Sequence, residues 1–96
     1  MGAYDFVTFV EGNVAQDAFN QAVEEARYEY GHSGYTGTIA EKPGYEMVSS
    51  KPLSLEDADK LIRDTINKNP KWGEAWAIKV CDAKFNGYVF YGYASS

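Results

Sequence analysis

The side chains best suited to binding a ligand are concentrated in one glycine-rich stretch, residues 31–45. It holds four of the nine glycines, the single histidine and several hydroxyl groups. Glycine tolerates positive φ and close backbone approach, and successive N–H groups near a helix end can bind an anion. The alternative is an ordered connector whose glycines only satisfy turn geometry. The predicted ligand-binding residues are His32, Ser33, Tyr35, Thr36, Thr38 and Lys42.

No established phosphate motif accounts for this stretch. A Walker loop requires Gly-Lys-Ser/Thr at the start of a helix, and the dinucleotide fingerprint follows a strand rather than a helix. The hydroxyls of Ser33, Thr36 and Thr38 and the charge of Lys42 remain as groups for a phosphate or another polar ligand.

Catalytic signals are weak. His32 could act as a general base if Glu29 or Glu41 oriented it, but the neighbouring Ser33 would point the opposite way on an extended backbone. We therefore predict no catalytic residue, with a small hydrolase or transferase using His32 as the alternative.

The acidic residues between Asp17 and Glu29 are typical of a solvated helix face, so no metal site and no cofactor are expected.

Composition and net charge limit the classes of partner that the protein is expected to bind. With 14 acidic and 9 basic residues the net charge is −5, and no basic patch suited to duplex nucleic acid is visible. Eight Tyr, five Phe and two Trp exceed what a small core can hide, which favours a binding surface and is the one feature that favours a homodimer. Cys81 is expected to be a small core residue. No segment approaches membrane-spanning length, so we expect a cytoplasmic protein without a membrane partner.

Hydrophobic periodicity predicts seven elements in the order β-α-β-β-α-β-β. They are strand Tyr4–Val10, helix Val14–Tyr30, strands Thr36–Glu41 and Tyr45–Val48, a helix from Ser54 to Asn69, and strands Glu74–Cys81 and Gly87–Tyr93. This order predicts a single α+β domain over residues 1–96. We expect a two-layer sandwich, a ferredoxin-like variant with both helices on one face of an antiparallel or mixed sheet of four or five strands.

The run from Ala26 to Lys42 resembles a signature of small bacteriophage and prophage proteins, in which an Ala-rich helix precedes a Tyr-x-Gly-Thr-Ile segment. Here that segment is Tyr35-Thr36-Gly37-Thr38-Ile39. The resemblance covers about the first half of the chain and implies no catalytic residue. It implies a phage setting in the host cytosol, where small acidic domains act on host machinery.

From these observations we expect a non-enzymatic binding protein. It would either block a host defence protein or sequester a nucleotide-like small molecule through the glycine-rich stretch.

Overall fold

The computed structural model describes residues 3–30, 39, 42–49, 51–69 and 73–95. Within them lie four strands, two helices and one 3-10 turn. The elements are β1 (Ala3–Glu11), α1 (Ala15–Tyr30), β2 (Tyr45–Met47), α2 (Leu55–Thr65), the 3-10 turn Ile66–Lys68, β3 (Ala75–Asp82) and β4 (Phe85–Ser95). The α+β class predicted from the sequence is confirmed.

The strands form one mixed sheet in the order β1-β4-β3-β2. β4 runs antiparallel to both neighbours, with Ala3 opposite Ser95 at one end of the β1 ladder. β2 runs parallel to β3, and Leu53 continues that pairing through a bridge to Val80. Strands β1, β2 and β3 therefore all point the same way, and the two helices are the crossovers that join them.

The two helices lie on opposite faces of the sheet, which corrects the expectation that both cover one face. Successive β4 side chains alternate between faces, and Tyr88 and Phe90 belong to the core under α1 whereas Val89 and Tyr91 belong to the core with residues of α2. The chain crosses from β1 to the far edge at β2, then returns to β3. Connections between parallel strands are right-handed. Because the second connection runs across the sheet in the opposite direction to the first, its helix lies on the other face.

Helix α1 packs through small side chains. Ala18 and Ala22 are buried against the sheet beside Phe19, so the helix approaches the strands closely. Its solvent side carries hydrogen bonds between side chains four residues apart, from Gln16 to Asn20 and from Gln21 to Glu25, which support an exposed helix face.

Helix α2 begins where two side chains accept its free N–H groups. Ser54 Oγ accepts from Asp57 N at 3.2 Å, which is the hydrogen bond of a helix N-cap. Asp82 Oδ2 accepts from Leu55 N at 3.1 Å, and its Oδ1 accepts from Lys84 N at 3.1 Å. These hydrogen bonds lower the pKa of Asp82. One carboxylate thus joins the start of α2 to the tight turn between β3 and β4.

Two further expectations differ from the structure. Of the predicted strand Thr36–Glu41 only Ile39 is described, and its carbonyl accepts from Lys42 N at 3.0 Å in a turn, so no extended strand passes through Ile39. Cys81 is exposed rather than in the core, because the alternation of β3 continues beyond the part of the sheet that α1 covers.

Within the described residues, no helix combines the length and apolar composition needed to cross a lipid bilayer.

Tyr91 combines full burial with a polar tip. Its hydroxyl lies 2.8 Å from Thr65 Oγ1, and Thr65 Oγ1 itself donates to Leu61 O at 2.6 Å. A threonine hydroxyl has one hydrogen, so Tyr91 must be the donor in the shared bond. This hydrogen bond, which is partly buried, joins the end of α2 to the centre of the sheet.

Replacing Tyr91 by Phe should lower the free energy of unfolding by about 1 kcal/mol, because Thr65 Oγ1 loses its donor in a partly buried place. Chemical denaturation measures the change. Tyr93→Phe is the matched control, since that hydroxyl donates to Asn67 in an exposed position and should change stability by less than about 0.5 kcal/mol. Equal losses in the two variants would contradict the role given to Tyr91.

Candidate ligand site

Of the six predicted ligand-binding residues, the structure describes only Lys42. His32, Ser33, Tyr35, Thr36 and Thr38 lie outside the described residues, so their grouping around a ligand stays a prediction. The same holds for His32 as a general base.

Lys42 is buried, with 5% of its surface exposed, although its Lys-Pro-Gly context is typical of a solvated turn. Its ammonium donates to Asn69 Oδ1 at 2.9 Å. Its backbone N–H is held by the turn at Ile39. Both ends of the residue are therefore fixed, and the charge lies at a defined place against the sheet.

Asn69 is the buried acceptor that holds Lys42, and it is also 5% exposed. Its Oδ1 accepts a second hydrogen bond from Tyr93 N at 2.9 Å, and its Nδ2 donates to Glu74 O at 3.0 Å. The amide thus joins the end of the 3-10 turn to β4 and to the start of β3.

Gly92 makes room for this amide. A Cβ atom on residue 92 would overlap Oδ1 and Cγ of Asn69, and the φ of 151° is one that other residues rarely adopt. Neither Asn69 nor Gly92 was among the site residues predicted from the sequence. An isolated glycine inside a strand pattern does signal close backbone approach, so Gly92 was the available clue.

A cleft of about 320 Å³ lies between α1 and the segment Lys42–Pro43. This volume is near the small end of the range of about 300–1,000 Å³ for ligand pockets. Two cations, Lys42 and Arg27, line the cleft together with one acid, Glu24. The described lining residues are Phe19, Asn20, Val23, Glu24, Arg27, Lys42 and Pro43.

A second hollow, on the acidic side of α1, has a different character. Its described lining is Glu24, Glu25, Tyr28 and Glu29, so three of the four residues are acidic. Such a surface repels an anion, and the Lys42 cleft is the better place for a phosphate-bearing ligand.

Burial lowers the pKa of Lys42 from its ordinary value of 10.5 to about 8, because the charged form is disfavoured away from water. The residue is still mostly protonated at neutral pH. An anion beside it would stabilise the ammonium form.

Among the described residues no group of three or more His, Cys, Asp and Glu side chains is placed to hold a metal ion. Three aromatic side chains of β4 lie in the core rather than on an open face of the sheet. Tyr88, Phe90 and Tyr91 are all buried, so this strand offers no open stacking platform.

No family model, no curated protein and no solved structure matches the chain.

Asn69→Ala should lower the free energy of unfolding by about 3 kcal/mol, because three partners lose their hydrogen bond at one buried place. Thermal or chemical denaturation reports the loss. Asn67→Ala is the control: this neighbour is exposed, and its removal should cost less than about 0.5 kcal/mol. A small effect at residue 69 would show that the amide does not hold the elements together.

The lowered pKa of Lys42 predicts a pH dependence of stability. Between the folded value of about 8 and the ordinary value of 10.5, the unfolded chain binds the proton that the folded chain has lost. Stability contributed by this group should therefore rise with pH from about 8 to about 10. Below pH 8 both states are charged, and the cost of burial is constant.

Urea denaturation of the wild type and of Lys42→Met across this range measures the effect. The wild type should gain on the order of 1–3 kcal/mol relative to the variant. Above pH 10 the raised pKa of Tyr91 acts in the opposite direction, so the comparison ends there. Parallel pH profiles would mean that the Lys42 amine is solvated.

Proposed function

We propose that the protein is a non-enzymatic binding protein that takes a small anionic, nucleotide-like ligand in the cleft between α1 and Lys42–Pro43. The observation that carries the proposal is the buried Lys42 ammonium, whose pKa of about 8 makes its charge sensitive to an anion in the cleft. Binding an anion there would offset part of the cost of burying the charge.

The shape of the cleft supports a ligand with an apolar part and an anionic part. Phe19 and Val23 give an apolar wall, and Asn20 adds an amide beside them. Arg27 supplies a second cation from α1, which is suited to a phosphate or carboxylate. Glu24 opposes a high negative charge, so a ligand with one or two charges fits better than a polyphosphate.

The volume also limits the ligand. About 320 Å³ suits a molecule of mononucleotide size, so a larger cyclic oligonucleotide would place one of its nucleotides in the cleft. In the phage setting implied by the sequence resemblance, binding such a molecule would remove a signal that activates a host defence effector.

A direct test is a thermal-shift screen with inorganic phosphate, mononucleotides, ADP-ribose and cyclic dinucleotides, followed by titration calorimetry. A ligand that binds only the native state raises the melting temperature. Arg27→Gln should weaken the affinity about tenfold, the value of one charge-assisted contact of about 1.4 kcal/mol. The affinity should also fall as pH rises above about 8, because the free protein then loses the Lys42 charge.

Arg63→Gln is the matched control. It makes the same change in net charge on an exposed residue of α2, which pairs with Asp59 at the surface, and it should leave binding unchanged. If both variants lowered the affinity equally, the loss would come from the change in net charge alone. That result would contradict a binding site at the cleft.

The second candidate is a protein that blocks a defence protein by direct contact. Tyr28 on α1 favours it, since 91% of its surface is exposed and tyrosine is enriched at interfaces. Failure of every small molecule to shift the melting temperature would leave this candidate, with Tyr28→Ser as its first test in a capture experiment.

A further inference from the structure

Strand β1 is an edge strand with apolar side chains in solvent. Val7 and Phe9 are 45% and 47% exposed and lie on the face of the sheet that carries α2. That helix packs on β3, so β1 extends beyond its cover. Phe9 contacts the ring of Phe85 at 5.6 Å between centroids.

The outer edge of β1 also presents backbone hydrogen-bonding groups. Gly12 N donates to Asn86 O across the ladder, so even-numbered β1 residues direct their N–H and C=O toward β4. The alternation of an antiparallel ladder then points the N–H and C=O of Asp5, Val7 and Phe9 away from the sheet. No strand pairs with this edge within the described residues, where β1 is bonded only to β4.

Edge strands are usually protected by short length, lysine, proline or a bulge. β2, at the other edge, has three residues, whereas β1 has nine without lysine or proline. Its charges are the acids Asp5 and Glu11. The long, apolar edge of β1 is therefore suited to pairing with another strand.

The sequence of β1 is complementary to itself in one antiparallel register. With Val7 opposite its own copy, all nine residues overlap, Asp5 faces Phe9, and Glu11 faces the Ala3 position. No two acids are then opposite each other. A slip of two residues shortens the overlap, and in one direction it sets Asp5 against Glu11, which is unfavourable. A slip of one residue would place the outward-directed N–H and C=O groups of one copy opposite residues whose N–H and C=O groups are already bonded to β4.

We infer that the protein forms a symmetric dimer through antiparallel pairing of β1 with β1 of a second copy, centred on Val7. The two sheets become one continuous sheet of eight strands. Val7 and Phe9 of both copies form an apolar strip between the two α2 helices. The interface is isologous, so it closes with two chains and leaves the short β2 strands as the outer edges. It is independent of the proposed ligand cleft.

Sedimentation velocity over a concentration series, together with residue-resolved hydrogen exchange, tests the dimer. The wild type should be dimeric, and association should strengthen with salt because each chain carries a net charge of −5 and salt screens the repulsion between the two copies. Val7→Lys places two like charges opposite each other at the centre and should weaken association at least about tenfold.

Val14→Lys is the matched control, because Val14 is 53% exposed, lies outside β1 and gains the same charge. It should remain dimeric. In the wild type the amides of Asp5, Val7 and Phe9 should be protected, and in Val7→Lys they should exchange at least about tenfold faster. The amides of Phe6, Thr8 and Val10 stay protected in both, because they bond to β4, and so report that the variant is folded.

Three results would overturn the inference. One is a wild type that stays monomeric at every concentration. Another is a dimer that Val7→Lys leaves as tight as Val14→Lys does. The third is fast exchange of the Asp5, Val7 and Phe9 amides in a dimeric wild type, which would place the interface elsewhere on the surface.

Discussion

Burial of β4 on both faces is the constraint on which the rest of the fold depends. Phe90 and Tyr91 are adjacent in sequence and fully buried on opposite sides. Phe90 meets Phe19 of α1 and Tyr45 of β2 edge to face, and Tyr91 meets Trp76 of β3 and the hydroxyl of Thr65. Each helix thus needs the same strand, and neither core can be assembled without it. A sheet with helices on both faces hides its central strands completely, which explains why this small domain can bury so many aromatic side chains.

The buried polar side chains stabilise the fold through hydrogen bonds rather than through apolar packing. Asn69 is one buried amide with partners on three segments, so its hydrogen bonds replace packing where the 3-10 turn, β3 and β4 converge. Such networks stabilise a unique arrangement only when every member is satisfied. Lys42 joins this network with a charge that would be less costly in water. A buried ammonium next to a cleft lowers stability in exchange for a chemical group that an aliphatic residue cannot supply.

Much of the fold follows from local pattern, and the parts that do not follow depend on distant partners. Periodicity placed α1, β1 and β3 within a residue or two of their observed limits, because those patterns belong to the segment itself. The faces of the two helices depend on strand order, which rests on the pairing of β1 with β4 at the other end of the chain. Once the strand order is known, the right-handedness of the two crossovers predicts that α1 and α2 lie on opposite faces of the sheet. The burial of Lys42 also depends on a distant residue, Asn69. The local sequence Lys42–Pro43–Gly44 does not predict that burial. Conversely, Cys81 shows that alternation predicts the face of a side chain but not whether a helix covers it.

The pairing of the first strand with the last has a consequence for synthesis on the ribosome. β1 leaves the ribosome before β4 and finds its pairing partner only when β4 has been made. During that interval Phe6 and Val10 have α1 as their main available cover, since the strand that completes their core is missing. Non-local pairing of this kind slows folding and leaves apolar strand edges exposed. The nascent chain is thus more vulnerable to aggregation in the period before β4 emerges, and β1 is then a segment that chaperones for short apolar strands could bind.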